Sequence, residues 1–203
     1  MTTHMITTID LIRHGEPVGG SKYRGQSDDP LSEKGWRQMR EAVGDAPPWD
    51  ALITSPLSRC AEFARELAER HGLPLHSDPR FMEVGFGEWE GRDRAELAAE
   101  QPGAMERFRA DPVAHRPPGA EPLDQFRDRV AGAFDEVAAA HAGRHLLIVA
   151  HAGVIRMVVG RVLDVPLAKV SRLQVPNAGI TRVRVEVRDG ELLPQLVFHA
   201  GTL

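Results

Sequence analysis

A chain of 203 residues, of which 42% are hydrophobic and 27% charged, has the composition of a globular protein that can build its core without disulfides. These values exclude an intrinsically disordered chain, a collagen-like sequence and a coiled coil. The net charge of −4 argues against a general nucleic-acid-binding protein, and no uncharged stretch is long enough to cross a membrane.

The N-terminal tetrapeptide Met1-Thr2-Thr3-His4 lacks the basic and apolar regions of a secretory signal. The single cysteine, Cys60, cannot form an internal disulfide. We therefore expect a cytoplasmic protein with neither a nucleic acid nor a membrane as its partner. The even charge distribution and an edge strand near the C-terminus permit a homodimer without requiring one.

Strand and helix signals alternate along the first part of the chain. The sequence predicts a strand at 6–12, a helix at 32–43 with Ser32 as its N-cap, and a strand at 51–54. A helix at 56–71 follows, with Ser55 as its expected N-cap and Pro56 as its first residue, and then a short strand at 75–77.

The same alternation continues to the C-terminus. Two short helices are predicted within 94–109, separated at Pro102-Gly103, and a Pro/Gly-rich loop at 115–122. They are followed by a helix at 123–141, a strand at 145–150, a helix at 153–163, and a hairpin of strands 180–187 and 192–198 across Asp189-Gly190. This order predicts an α/β protein, a three-layer α/β/α sandwich with a mostly parallel central sheet. Because no repeat or linker divides the chain, we expect one domain over residues 1–203.

Two histidines directly follow predicted strands. His14 comes after the first strand, and His151 comes after the strand at 145–150. In sheets of this class, ligands bind beyond the carboxyl ends of the strands. Taken alone, each histidine could equally be a satisfied core residue. The other histidines show no spacing typical of metal ligands, so we expect neither a metal nor a cofactor.

Four motifs occur in a fixed order: Arg-His-Gly-Glu at 13–16, Ser-Pro-Leu-Ser-Arg at 55–59, Glu-Val-Gly-Phe-Gly-Glu-Trp-Glu-Gly at 83–91 and Ala-His-Ala-Gly at 150–153. With them, the chain resembles the histidine phosphatase superfamily, which includes cofactor-dependent phosphoglycerate mutase, from residue 9 to about 187. Within that group it is most similar to the alpha-ribazole phosphatase type, through segments 23–28, 30–32, 58–60, 86–90 and 117–121. The resemblance implies a phosphoglycerate mutase-like fold.

The resemblance also implies a phosphatase that works through a phosphohistidine. His14 would be the nucleophile, and His151 would donate a hydrogen bond to a transferring oxygen. Glu83 would be the general acid for the leaving alcohol and then the base for the attacking water. The residues implied to bind phosphate are Arg13, Arg59, Ala152 and Arg24. Arginine suits that role because its guanidinium matches phosphate oxygens with paired hydrogen bonds.

Some of these assignments have competing interpretations. Glu88 and Glu90 compete with Glu83 for the acid role, although the family pattern places the acid before the Phe-Gly pair. Arg24 could equally be a solvated loop arginine. Cys60 is not followed by a Cys-x5-Arg loop, so we expect it to be a packing residue.

The substrate wall is expected within about 95–121. The residues expected to line it are Trp89, Met105, Phe108, His115 and Arg116, and Trp89 fits a core position better. Three functions remain open: a metal-independent phosphomonoesterase for a small metabolite such as alpha-ribazole 5′-phosphate, a mutase, and a catalytically silent phospholigand-binding module. Ala152, which replaces a glycine common after the second histidine, and the lack of a basic residue directly after Glu83 weaken the mutase hypothesis.

Overall fold

The computed structural model describes residues 5–188 and 191–203, and the elements follow the predicted order. The strands are Met5–Arg13 (β1), Lys22–Tyr23 (β2), Ala51–Thr54 (β3), Leu75–Ser77 (β4), Arg92–Asp93 (β5), His145–Ala150 (β6), Ile180–Arg188 (β7) and Glu191–Gly201 (β8). The α-helices are Glu33–Val43 (α1), Ser58–His71 (α2), Arg94–Glu100 (α3), Ala104–Ala110 (α4), Leu123–Ala140 (α5) and Ala152–Val162 (α6). Short 3₁₀ helices cover Pro79–Phe81, Gly87–Trp89 and Leu167–Arg172.

Six strands form one sheet in the order β4-β3-β6-β1-β7-β8. The first four of these strands are parallel to one another, whereas β7 pairs antiparallel with both β1 and β8. β1 and β6 are adjacent and in register, with Arg13 opposite Ala150. The residues that follow these two strands, His14 and His151, therefore meet at the same edge of the sheet.

Two apolar cores lie on opposite faces of this sheet, and β6 contributes to both. Leu146 and Ile148 pack in the core that contains α5 and α6, and Leu147 and Val149 pack in the core that contains α1 and α2. A strand buried on both faces requires an uninterrupted apolar run, which is what the sequence of β6 provides. The predicted three-layer sandwich with a mostly parallel sheet is confirmed.

Most predicted local signals are confirmed. The Ser32 hydroxyl accepts a hydrogen bond from the Gly35 N–H at 3.0 Å and so caps α1. Helices α3 and α4 are separated at Pro102-Gly103 as expected. β7 and β8 pair antiparallel, while the Asp189-Gly190 turn and the segment 1–4 lie outside the described residues. No helix in the described part of the chain has the length and apolar character needed to span a membrane.

The predicted start of the second helix is wrong. The helix begins at Ser58 rather than at Pro56, and the N-cap position is held by Leu57, which makes no side-chain capping bond. The Ser55 hydroxyl lies 3.4 Å from the Leu57 nitrogen but only 2.8 Å from His151 Nε2. The Ser55 hydroxyl, which the local sequence predicts to cap the helix, therefore forms a hydrogen bond with His151 instead.

Candidate active site

His14 is held at the carboxyl end of β1 by its neighbours. Its backbone N–H donates to the Ala150 carbonyl at 3.0 Å, and its own carbonyl accepts from the Asn177 side chain at 3.0 Å. The ring Nδ1 lies 2.7 Å from the Gly15 carbonyl. Because a carbonyl oxygen can only accept, Nδ1 carries the proton and the lone pair is left on Nε2. His14 is thus arranged as a nitrogen nucleophile.

A cavity of about 310 Å³ opens in front of this histidine. We call it the His14 cavity. Its lining includes the following predicted site residues: Arg13, His14, Arg24, Arg59, Glu83 and Ala152. The structure therefore brings together side chains from the motifs at 13–16, 55–59 and 83–91 and the first residue of α6. Among the predicted site residues, His151 alone does not line this cavity.

Arg13 and Arg59 are arginines whose buried heads are only partly used by the protein. Arg13 Nη1 donates to the Val175 carbonyl at 2.7 Å, and Arg59 donates to the carbonyls of Ser27 and Gly25 at 2.7 and 2.8 Å. The Nε atoms of both arginines are buried and have no hydrogen-bond partner among the described residues. Buried N–H groups of this kind at a cavity are suited to an anion that accepts several hydrogen bonds.

The loop that precedes α1 holds Arg59 in place. The Asp28 carboxylate accepts a hydrogen bond from the Ser58 N–H at 2.6 Å, at the first turn of α2. The carbonyls of the same loop bind the Arg59 guanidinium, which is 1% exposed. The loop thereby places a cation and the N-terminus of a helix on one side of the cavity, an arrangement that favours negative charge.

Arg24 lies at the mouth of the cavity and is bound by its own loop. Its Nε is 3.0 Å from the Asp29 carboxylate, and its Nη2 donates to the carbonyls of Val18 and Gly20. These bonds fit a loop-ordering arginine, and its position in the lining fits a phosphate contact. The Arg24 side chain is 13% exposed, so it is not the solvated loop arginine that the sequence left open. Its phosphate-binding role stays a prediction.

Glu83 lines the same cavity as His14 and is fixed by backbone donors. One carboxylate oxygen accepts from the Val84 N–H at 3.0 Å, and the other accepts from the Gly153 N–H at 3.1 Å, in the first turn of α6. A Cβ placed on Gly153 would overlap the Glu83 carboxylate. The approach of α6 to Glu83 therefore requires a glycine at position 153. Glu90 is occupied elsewhere, because it accepts from the backbone N–H groups of Gln26 and Phe86.

Arg129 supports the segment that carries Glu83, and the sequence analysis missed it. From α5 its guanidinium donates to the carbonyls of Arg80 and Met82 at 2.7 and 2.8 Å and of Glu83 at 3.1 Å. It also forms a two-point ion pair with Glu121, which in turn accepts from the Gly85 N–H. This network ties the loop that carries Glu83 to α5 over a sequence separation of 46 residues. No local motif identifies such a long-range contact.

His151 is completely buried behind His14, with 5.2 Å between the two ring centroids. Its Nε2 is hydrogen-bonded to the Ser55 hydroxyl at 2.8 Å, and the Cys60 sulfur lies 3.7 Å from the same nitrogen. Ser55 is therefore a further residue of this site. The sequence analysis did not identify it because a serine before a proline is typical of a helix N-cap. The hydrogen bond from His151 to a transferring oxygen stays a prediction.

The surroundings keep both histidines neutral. Burial, and then the positive charges of Arg59 and Arg13, lowers the pKa of His14 well below the usual value. Burial and nearby positive charge lower the pKa of His151 in the same way. Burial also lowers the pKa of Arg13 to about 10, so this guanidinium remains charged at neutral pH. Burial raises the pKa of the Cys60 thiol, which agrees with a packing residue.

A second cavity, of about 260 Å³, adjoins the first, and we call it the side cavity. Tyr23, Phe86, Arg94 and Arg156 line both cavities, so the two are adjacent. The residues expected to form the substrate wall divide into two sets. Phe108 and Arg116 line the side cavity. Trp89, Met105 and His115 line neither cavity, and Trp89 is 3% exposed and packs with Tyr23 and Met105 in a small core.

Comparison with known proteins agrees with this geometry. The family model described as "Histidine phosphatase superfamily (branch 1)" matches residues 9–194. A bifunctional protein of Mycobacterium tuberculosis is 30% identical over 202 residues, which cover 97% of this chain and 55% of that protein. The chain therefore spans about half the length of that curated relative.

Two proteins of similar length also match. The adenosylcobalamin/alpha-ribazole phosphatase of Salmonella typhimurium is 30% identical over 169 residues, or 81% of this chain and 84% of that protein. A solved mycobacterial glucosyl-3-phosphoglycerate phosphatase is 28% identical, covers 96% of this chain and 99% of its own, and superposes with a TM-score of 0.84. In the described part of the chain, no group of three or more His, Cys, Asp or Glu side chains is arranged to hold a metal ion.

Proposed function

Because the chain belongs to the histidine phosphatase superfamily (branch 1), we propose that it hydrolyses a small phosphate monoester through a phosphorylated His14. The observation that carries the proposal is the hydrogen bond from His14 Nδ1 to the Gly15 carbonyl, which leaves a lone pair on Nε2. His14 lines a cavity together with Glu83 and with Arg13 and Arg59, whose buried Nε atoms have no hydrogen-bond partner among the described residues.

In the first step, His14 Nε2 attacks the phosphorus atom as the bond from phosphorus to the ester oxygen breaks. Glu83 gives a proton to the departing alkoxide, which leaves as the alcohol. The Arg13 and Arg59 guanidinium groups stabilise the charge on the phosphoryl oxygens. The product of this step is a phosphohistidine and an ionised Glu83.

In the second step, water attacks the phosphorus atom of the phosphohistidine. Glu83 accepts a proton from that water, and the phosphorus–nitrogen bond breaks. Inorganic phosphate is released, and the lone pair returns to His14 Nε2. The bond from Nδ1 to Gly15 persists throughout, so the ring needs no change of tautomer between turnovers.

The first experiment measures inorganic phosphate released from phenyl phosphate in the presence of EDTA. The wild-type protein is expected to be active, and His14→Ala is expected to lose at least about 10³-fold, because no other nucleophile lies at this position. His76→Ala, which changes an exposed histidine on β4, is the matched control and is expected to keep full activity. Full activity in a folded His14→Ala variant would falsify the proposal.

The same assay identifies the metabolite. Alpha-ribazole 5′-phosphate and glucosyl-3-phosphoglycerate are the first two substrates to compare, since two relatives are named for them. A kcat/KM for one of them well above that for phenyl phosphate would establish it as the better substrate. Isomerisation of a phosphoglycerate faster than release of phosphate would instead indicate a mutase. Binding of phosphate esters without turnover would indicate a silent module.

A further inference from the structure

We propose that the side cavity binds a leaving group with an apolar body and a second anionic group, and that Arg156 is the main residue that recognises this second charge. This inference rests on the proposed phosphatase function and specifies the alcohol that leaves. It makes a phosphate ester of an alcohol that also carries a carboxylate or a second phosphate the preferred substrate class.

The body of the side cavity is apolar and aromatic. Its lining includes Val84, Phe86, Phe108, Leu123, Phe126 and Met157. The Tyr23 and Phe108 rings meet edge to face with 6.2 Å between centroids, and the Tyr23 and Phe86 rings do so at 5.1 Å. A surface of this kind stabilises an apolar or ring-bearing group by removing it from water. When the phosphoryl group of an ester occupies the His14 cavity, the alcohol part would extend into the adjacent side cavity.

The charged groups of the side cavity are all arginines. Arg94, Arg109, Arg116 and Arg156 line it, and no Asp or Glu does so among the described residues. None of the four forms an ion pair with a carboxylate in the described part of the chain. Arg13 and Arg59, which the proposed function assigns to the phosphoryl group, line the adjacent His14 cavity. Four further cations thus face a neighbouring space whose lining has no compensating anion.

Arg156 is the best placed of the four to bind an anion next to the reacting group. It lies on α6, four residues after Ala152, and of the two arginines that line both cavities it is less exposed than Arg94. Its Nε donates to the Leu173 carbonyl at 2.8 Å, so the position of the guanidinium is fixed before a ligand arrives. Burial lowers the pKa of Arg156, and the charge of Glu83 offsets this effect only in part. An anionic ligand would restore that lost stabilisation.

Arg116 and Arg94 are secondary contacts. The Nε and Nη1 atoms of Arg116 are buried and have no hydrogen-bond partner among the described residues, while Nη2 donates to the Gly85 carbonyl at 2.8 Å. Arg94 stacks over the Tyr23 ring, with its guanidinium carbon 4.8 Å from the ring centroid. Cations on an aromatic surface favour a ligand with both an apolar part and a negative charge.

The test uses two phenyl phosphates of nearly equal size, one with a 4-carboxylate and one with a neutral 4-carbamoyl group. The measured quantity is the kcat/KM for the carboxylate ester divided by the kcat/KM for the carbamoyl ester. This ratio is compared between variants, so the intrinsic reactivity of the two esters cancels. The wild-type ratio is expected to fall roughly tenfold in Arg156→Gln, because a charge-assisted hydrogen bond is lost. Arg156→Lys is expected to recover part of the ratio. Arg107→Gln, on the same helix as Arg109 but outside both cavities, is expected to leave the ratio unchanged.

Two failures are distinguishable. If wild type and Arg156→Gln both hydrolyse the two esters with the same ratio, Arg156 has a structural role only and the inference is wrong, although the phosphatase function stands. The same conclusion follows if Arg156→Gln loses activity equally on both esters. If the folded wild-type protein hydrolyses neither ester nor phenyl phosphate, the proposed function fails and the inference fails with it.

Discussion

At the scale of single residues, His14 and Arg59 illustrate how burial is used in this site. A buried guanidinium or imidazolium next to other positive charges is unfavourable in the free protein. Here that cost keeps His14 unprotonated, and the buried Nε atoms of Arg13 and Arg59 have no hydrogen-bond partner among the described residues. The same groups would be stabilised when a phosphate dianion occupies the cavity. Burial of these groups therefore lowers the local stability of the free protein, and it leaves a neutral imidazole and unpartnered guanidinium N–H groups at the cavity.

The lowered histidine pKa values predict how stability depends on pH. His14 and His151 stay neutral in the folded protein, whereas in the unfolded chain each binds a proton near pH 6.5. The unfolded state therefore binds more protons in acid. The free energy of unfolding is expected to be at its full value above about pH 6.5 and to decline below it. Each histidine contributes a slope approaching about 1.4 kcal/mol per pH unit.

Urea unfolding between pH 5 and 8 measures this dependence. Because carboxylates also titrate in the acidic part of the range, the comparison with His14→Gln isolates one proton. Its slope below pH 6.5 is expected to be shallower than that of the wild type by about 1.4 kcal/mol per pH unit. Equal slopes in the two proteins would show that His14 is protonated to the same extent in the folded and unfolded states.

At the scale of elements, the loop that carries Glu83 is held between two helices. α5 contributes Arg129, whose guanidinium binds three carbonyls of the loop and the Glu121 carboxylate. α6 contributes the Gly153 N–H, which binds the Glu83 carboxylate directly. Both helices pack in the same apolar core, so the position of Glu83 depends on how they pack together. Precise placement of an acid relative to its nucleophile is a large part of catalysis.

A methyl group at position 153 tests this packing. In Gly153→Ala the new Cβ would overlap the Glu83 carboxylate and lie 3.2 Å from Phe126, so the carboxylate must move. We expect kcat for phosphate release to fall roughly 10²-fold, the usual contribution of a positioned acid. The loss should be greater for esters of poorly acidic alcohols, which depend most on protonation of the leaving oxygen.

Gly132→Ala is the matched control for this substitution. Gly132 lies within α5, and a Cβ there would meet nothing within 4 Å. Because alanine is the better helix former, this variant is expected to keep full activity and to gain about 0.5–1 kcal/mol of stability. A Gly153→Ala variant with wild-type kcat would show that Glu83 is not held against α6 during catalysis.

At the scale of the whole molecule, one buried carboxylate joins distant parts of the chain. Asp10, on the central strand β1, has no exposed surface and binds Arg182 of β7 through two hydrogen bonds of 2.7 and 2.9 Å. It also binds the Trp49 ring nitrogen at 2.8 Å and the His145 ring at 2.9 Å. Burial alone would raise the pKa of Asp10, but these hydrogen bonds outweigh burial and lower it.

Removal of this carboxylate is expected to destabilise the fold without affecting the chemistry. Asp10→Ala leaves the Arg182 charge without its partner, and we expect a loss of about 3–5 kcal/mol in the free energy of unfolding. For a protein of this size, each kcal/mol that is lost lowers Tm by roughly 2–4 °C. Thermal and urea unfolding measure it, with the exposed Asp45→Ala expected to change stability by less than about 0.5 kcal/mol. A Tm equal to that of the wild type would contradict the prediction.

The sequence by itself determined the features that depend on neighbouring residues. The apolar run of β6 indicates a strand buried on both faces, Ser32 marks the start of α1, and Pro102-Gly103 separates α3 from α4. The order of strands and helices was enough to predict a mostly parallel three-layer sandwich. The placement of His14 and His151 directly after two strands also followed from the sequence, because parallel strands end at one edge of a sheet.

Only the tertiary structure decided which side chains meet at that edge. Ser55 matches a helix cap in its local sequence, but its hydroxyl binds a histidine 96 residues away. Arg129 and Arg156 are ordinary helix arginines by pattern, and only the packing of α5 and α6 places Arg129 against the Glu83 loop and Arg156 in the lining of a cavity. The physical reason is that strand and helix signals arise from residues a few positions apart. The partners of a buried polar group are instead set by chain segments that meet only when the core has formed.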